Sequence, residues 1–212
     1  SRLQATGALI EAMASASSRP RVLINASAIG YYGARYDEEL TESASSGQGF
    51  LSELCVAWEA AAQRAEPLGV RVVRLRIGLV LGPDGGALAK MVPPFRWYAG
   101  GPLGSGRQWV SWIHRQDLIG LIEQALTQSA LNGPLNATAP HPLTMRDFSR
   151  KLGQALSRPS WAPVPAVVLR LLLGEMADLL LSGQRVLPAV ALRHGHQFAY
   201  PELSGALAAC LP

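Results

Sequence analysis

An apolar run, Val22-Leu23-Ile24, leads directly into Asn25-Ala26-Ser27-Ala28-Ile29-Gly30-Tyr31-Tyr32-Gly33. A buried strand that ends in small and hydroxylated residues leaves a groove lined with hydrogen-bonding groups, the place where parallel sheets hold their ligands. Residues 48–65 then set Leu51, Leu54, Cys55, Trp58 and Ala62 at helical spacing. Val70 to Ile77 reads as a second strand, closed by Gly78 and by Gly82-Pro83. Strand, helix and strand in so short a stretch make a parallel crossover unit, so the expected class is α/β.

The remaining punctuation agrees. The chain opens inside a helix with Leu3, Leu9, Ile10 and Met13 along one face. A helix is expected over about 87–98, then a glycine-rich loop, Gly100-Gly101-Pro102-Leu103-Gly104-Ser105-Gly106. That loop lacks a preceding strand and a Gly-Lys-Ser/Thr ending, so a phosphate-cradling role is rejected. Trp109 to His114 reads as extended, Asp117 leads a helix, Leu135 to Thr138 is a short strand, and Thr144 with Asp147 resembles a capping box. From Trp161 onward the pattern is helical and punctuated by prolines, which suggests a small appended lobe over 161–212 after a main domain over 1–160.

At 212 residues and 49% hydrophobic content the chain can bury a substantial core. The net charge of +4 comes from scattered Lys and Arg residues, with no basic stripe and no nucleic-acid reader motif, so a nucleic-acid partner is not expected. The same excess of Arg suits a protein that holds a phosphorylated cofactor. Cys55 and Cys210 stand far apart with no ligand at metal spacing, which predicts neither a disulfide framework nor a metal site. The apolar stretch from Val164 to Leu181 is interrupted by Arg170, Glu175 and Asp178, short of the roughly 20 apolar residues a membrane span needs. With no signal peptide ahead of the first helix, a cytoplasmic location is the expectation.

Taken together, Ser27-Ala28-Ile29-Gly30-Tyr31-Tyr32-Gly33, Trp58-Glu59-Ala60-Ala61-Ala62, Val73 to Gly82, Gly100 to Trp109, Trp112-Ile113-His114, Gly183 to Pro188 and Phe198 to Leu203 resemble the extended short-chain dehydrogenase/reductases. The resemblance is to their atypical epimerase-like branch, with its C-terminal domain of unknown function. It implies the C-terminal two-thirds of a Rossmann-like, doubly wound parallel sheet with a small, mostly helical C-terminal lobe. The family's opening strand, glycine loop and helix, which hold the dinucleotide pyrophosphate, have no counterpart here. A segment on the order of 90 residues is therefore expected to be missing from the N-terminus. The cofactor implied is NADP, with NAD as the alternative, and a chain without the pyrophosphate loop is expected not to retain it. An unpaired sheet edge left by the missing strands would favour self-association.

The resemblance also implies a hydroxyl donor, a Tyr that exchanges a proton with the substrate oxygen, and a Lys four residues later on the same helix face. Ser27 is the candidate donor, or else a strand-end cap. The Tyr and Lys positions fall on Phe50 with Leu54 or on Leu51 with Cys55, and neither pair transfers a proton. Tyr31 or Tyr32 would offer a phenol from the turn, or else packs there. Ala26, Ser27, Ile77, Gly78 and Leu79 are the expected cofactor contacts. Arg96, Trp112 and His114 are placed on the substrate side, with His114 either an acid, base or phosphate contact or an anchor for the following helix. Val110 stands where relatives that use nucleotide-sugars carry a diphosphate-gripping Arg. The leading expectation is an NADP(H)-binding oxidoreductase or epimerase-like protein acting on a small molecule. The alternative is a non-catalytic dinucleotide-binding regulator or scaffold, a role compatible with relatives described as cell-division-associated.

Overall fold

A computed structural model describes residues 2–174, 177 and 181–211, so Glu175 and Asp178, two of the expected breaks in the apolar stretch, lie outside the described residues. The central sheet contains β1 (Val22–Ala28), β3 (Arg71–Ile77) and β7 (Gly133–Ala137), in the order β1-β3-β7 and parallel throughout. Helix α2 (Phe50–Gln63) connects the first pair, and α4 (Arg115–Thr127) precedes β7. The Rossmann-like parallel architecture expected from the sequence is present. In register, Ala28 pairs with Ile77 and Ile77 with Ala137, so these three residues form the C-terminal rim of the sheet.

The alternation of strand side chains divides the core. On β3, Val73 and Leu75 pack with Leu121, Ala125 and Leu135. Val72, on the opposite face, packs with Leu23, Ala62 and, from α1 (Arg2–Ser15), Ile10 and Met13. Thr6, Ile10 and Met13 form the buried face of α1, whereas Leu3 and Leu9 are exposed. Thr6, Ile10 and Met13 are separated by four and three residues, a single helix face, and this geometry overrides hydrophobicity.

At Gly78 the chain leaves β3 for β4 (Leu79–Leu81), which pairs with β6 (Trp112–His114). The Gly78 N–H donates to Ala137 O at 3.1 Å and the Leu79 N–H to Ser111 O at 2.9 Å. A Cβ at position 78 would stand 2.5 Å from Ser111 O, so the crossing requires glycine. Helix α3 (Gly86–Arg96), β5 (Trp109–Val110), β8 (Leu143–Thr144) and α5 (Met145–Ala155) complete this half, with β5 and β8 antiparallel. Thr144 caps α5 by accepting the Asp147 N–H at 3.2 Å, and its own hydroxyl donates to the Asp147 carboxylate at 2.7 Å. Asp is one methylene shorter than Glu, so it meets the Thr hydroxyl instead of completing the usual box.

The C-terminal segment adds α6 (Ala166–Leu173), β9 (Arg185–Val186), α7 (Ala189–Arg193) and α8 (Leu203–Cys210). Strand β9 pairs with β2 (Glu39–Leu40). Leu203, Leu207 and Cys210 share a core with Leu81, Phe95, Trp112 and Phe148. The glycine-rich loop meets this segment backbone to backbone: Trp161 N–H donates to Gly100 O at 3.0 Å and Gly104 N–H to Val164 O at 2.8 Å. A Cβ on Gly101 would run into the Ala162 carbonyl, so glycine permits this close contact. Among the described residues, no helix is long and apolar enough to cross a membrane.

Candidate functional site

A cleft of about 320 Å³ opens at the C-terminal rim of the sheet, beside the turn Ile29–Tyr32 and the first turns of α2. Ala28, Ile29, Gly30, Leu51, Cys55, Ile77, Gly78 and Leu79 line one part of it. Parallel sheets bind ligands at this rim because the strand ends leave backbone groups facing a crevice. Three of the five expected cofactor contacts, Ile77, Gly78 and Leu79, lie in the cleft wall.

Ser27 is placed differently from the expectation. Its side chain is on the opposite face of β1 from Ala28, is 4% exposed and donates to Glu59 Oε1 at 2.8 Å. Because side chains alternate along a strand, a one-residue step decides which of the two meets the ligand space, and here it is Ala28. Ala26, further back on β1, is exposed and is not among the cleft-lining residues. The helix register is equally clear. Leu51 and Cys55 line the cleft, and a Cβ on Gly30 would sit 3.6 Å from Leu51 Cβ and 4.0 Å from Cys55 Sγ. Phe50 is 77% exposed and lies outside the cleft lining. The wall thus presents Ala28, Leu51 and Cys55 where the family resemblance implies hydroxyl, phenol and ammonium. Burial pushes the Cys55 thiol above its ordinary pKa, which disfavours a thiolate at neutral pH.

Behind the wall runs a buried polar network that the hydrophobic pattern did not reveal. Arg76 donates to both carboxylate oxygens of Glu59, at 2.8 and 2.9 Å, and to Tyr32 Oη at 3.0 Å. Tyr32, fully buried, donates to Asn136 Oδ1 at 2.7 Å. The Asn136 N–H reaches Glu42 Oε1 at 3.0 Å, and Glu42 also accepts the Val190 N–H at the start of α7. Burial opposes the charge on Arg76, yet its bonds to Glu59 and the Tyr32 oxygen raise its pKa above the usual guanidinium value. Burial raises the Tyr32 phenol, with Arg76 pulling the other way. A sequence signal for this network exists. Glu59 lies on the same α2 face as Cys55 and Ala62, and Arg74 and Arg76 alternate with Val73 and Leu75 in the middle of β3.

Tyr31 is half-buried, and its ring lies under the Arg76 guanidinium, 3.4 Å from ring centroid to Cζ. It packs edge-on against Tyr32 with centroids 5.3 Å apart. The two tyrosines are therefore joined to the buried network, and neither lines the cleft. The three residues expected on the substrate side are not brought together there. Arg96 is exposed in the last turn of α3. Trp112 is fully buried in the core and donates its indole N–H to His141 O at 3.2 Å. His114 caps α4, its Nδ1 accepting the Gln116 N–H at 3.2 Å, with the ring 4.0 Å from that of Tyr200. Burial lowers its pKa, which keeps it in the neutral form that can accept this bond. Of the two roles considered for His114, the helix anchor is the one the geometry displays.

The outer end of the cleft continues into a second cavity of about 510 Å³ through the shared residues Gln108, Trp109, Ser182 and Gly183. This outer cavity adds Tyr36, Asp37, Arg107 and Arg170, residues the sequence did not single out for binding.

Comparison with known proteins agrees with this architecture. Residues 1–137 match the NAD dependent epimerase/dehydratase family, and residues 164–210 match a domain of unknown function, DUF1731. The chain is 46% identical over its whole length to the chloroplastic epimerase family protein SDR39U1 homolog of Arabidopsis thaliana, covering 61% of that protein. It is 41% identical over 98% of its length to the epimerase family protein YfhF of Bacillus subtilis, covering 68%. The chain thus spans less than two-thirds of the Arabidopsis protein. Among solved structures, human epimerase family protein SDR39U1 (isoform 2), crystallised with NADPH, superposes with a TM-score of 0.93 at 37% identity, covering 99% of this chain and 72% of that one. A nucleoside-diphosphate sugar epimerase from Corynebacterium glutamicum superposes at 0.81 with 34% identity, covering all of this chain and 41% of that one. With that family model matched across residues 1–137 and these identities sustained along the chain, the protein belongs to the NAD dependent epimerase/dehydratase family.

Proposed function

We propose that this chain forms the substrate side and part of the nicotinamide side of an NADP(H)-dependent oxidoreductase whose proton transfer does not use the usual Tyr and Lys. The observation that carries this reading is the cleft wall of Ala28, Leu51 and Cys55 at the end of a parallel sheet. An apolar wall beside Gly78, where the backbone itself is accessible, fits a nicotinamide ring. Ala28, Ile77, Gly78 and Leu79 would hold it, and NADPH when bound supplies a hydride. The preference for NADP over NAD rests on the human relative crystallised with NADPH.

The wall favours reduction over epimerisation through an alcohol. Epimerisation requires a side chain that takes a proton from a substrate hydroxyl and returns it, and Leu51 cannot do so. Reduction of a carbonyl or activated double bond needs one proton, which water at the open cleft supplies. The same missing groups favour a second reading, a dinucleotide-binding regulator in which the cleft binds without turnover.

Deuteride transfer separates the two. The native protein is titrated with NADPH by calorimetry, then incubated with NADPH deuterated at C4 and a panel of ketones, enones and imines. Deuterium in a product supports the oxidoreductase. Micromolar NADPH binding with no deuterium transferred to any substrate supports the regulator instead. No NADPH binding overturns both.

A further inference from the structure

We infer that the substrate is an amphipathic anion, with an apolar reacting end in the inner cleft and a carboxylate or phosphate at Arg107 in the outer cavity. This rests on the reading of the cleft as a substrate site and adds the class of molecule it takes. The two cavities form one trough, joined through Gln108, Trp109, Ser182 and Gly183, and their linings differ in chemistry.

The inner end is apolar where a substrate would react. Beyond Ala28, Leu51 and Cys55 it is walled by Leu79, Val110 and Met145. Two hydroxyls, on Ser111 and Ser182, also line it, and that of Ser111 is already committed: it donates to Gln184 O at 2.7 Å and accepts the Val186 N–H at 2.9 Å. A sugar ring placed there would bury several hydroxyls against carbon, and each buried hydroxyl without a partner costs on the order of 1–3 kcal/mol. An alkyl or aryl group meets no such cost.

The outer end is charged, with two guanidinium groups and one carboxylate among its described lining residues. Arg107 and Arg170 line it, and the acid on the same wall, Asp37, accepts the Trp109 indole N–H at 2.7 Å. Glu39, two residues further on, is held by Arg185 at 2.9 Å, and Arg185 in turn lies 4.7 Å over the Trp109 ring. Asp37 and Glu39 thus each have a partner within the protein, the indole N–H leaving the charge of Asp37 in place, and Trp109 is held as a flat apolar step between the two ends. Arg107 is exposed and reaches the cavity from the loop before β5. A planar guanidinium forms two parallel bonds to a carboxylate or phosphate, which gives the anion end of a ligand a defined seat.

The test is equilibrium binding by calorimetry on the native protein, with decanoate, decyl phosphate, decanol and UDP-glucose as probes. The stronger of the two anionic alkyl probes is expected to bind about tenfold or more tightly than decanol, and whichever it is identifies carboxylate or phosphate as the preferred head group. Arg107→Glu should reduce that anion to the affinity of decanol, and Arg107→Lys should retain part of the preference. Leu51→Asp should weaken all three alkyl probes together. UDP-glucose binding as tight as the anion, decanol binding equal to both anions, or an unchanged preference in Arg107→Glu would overturn the inference. Titrating NADPH separately keeps the two proposals apart. NADPH binding without alkyl-anion binding defeats only this inference, and alkyl-anion binding without NADPH binding defeats only the cofactor-dependent function.

Discussion

Arg76 and Glu59 face each other across the β3–α2 interface with two hydrogen bonds, 2.8 and 2.9 Å, and each side chain is 3% exposed. Arg74 approaches the same carboxylate at 3.8 Å, and Ser27 donates to it at 2.8 Å. Removing one member of such a pair leaves an uncompensated buried charge, so Glu59→Ala should cost about 3–5 kcal/mol of stability. Arg76→Met combined with Glu59→Leu should cost much less than either single change. Urea denaturation of the single and double variants measures the difference, and an additive double variant would show that the pair acts independently.

Glu42 ties β7 to α7 by accepting the Asn136 and Val190 N–H groups. Burial is the largest influence on it and raises its pKa above the ordinary carboxylate value. A raised folded-state pKa means that the native state holds its proton more tightly than the unfolded state. The contribution to stability is therefore full below the unfolded value and is lost as pH rises through the folded one. Glu42→Gln keeps an acceptor oxygen and cannot ionise, so its stability curve should lack this decline. Denaturation midpoints followed from pH 4 upward should show wild type losing ground to Glu42→Gln. Parallel curves would mean that Glu42 is ordinary.

His114 titrates in the opposite sense. Burial lowers its folded pKa, so its contribution is present above the unfolded value and is lost as pH falls through the folded one. Protonation also destroys the Nδ1 acceptor that caps α4. His114→Asn restores a capping oxygen and should soften acid sensitivity, whereas His114→Ala should cost about 0.5–2 kcal/mol at neutral pH. Proton NMR of the imidazole across the same range reads the pKa directly.

The register of α2 makes a gain of function testable. Leu51→Tyr with Cys55→Lys places a phenol and an amine on the cleft wall, and should raise NADPH-dependent reduction of a simple ketone by about 10²–10⁴ in the native protein. Phe50→Tyr with Leu54→Lys should give no gain, because Phe50 projects outside the cleft. Equal activity from both pairs would refute the assigned register.

Strand β1 is paired only on its β3 side among the described residues. An open strand edge is a template for pairing with another chain, so the 212-residue chain is expected to self-associate as its concentration rises. Light scattering across a dilution series checks this, and a constant monomer mass would count against an accessible edge.

The parallel α/β architecture was legible in the chain itself. Val22-Leu23-Ile24, the α2 periodicity and the β3 run are local patterns, and local patterns report which face of an element is apolar. The choice between Leu51/Cys55 and Phe50/Leu54 came from the family resemblance, which supplies the four-residue spacing but not the register. What the tertiary structure decided was direction. Ser27 and Ala28 are adjacent in sequence, and only the placement of α2 against β1 shows that the hydroxyl turns to Glu59 and the methyl to the cleft. Likewise Arg107 and Leu51 are far apart in sequence, yet they line the two ends of one trough. Such pairings depend on packing across the sheet, a long-range property that no local periodicity records.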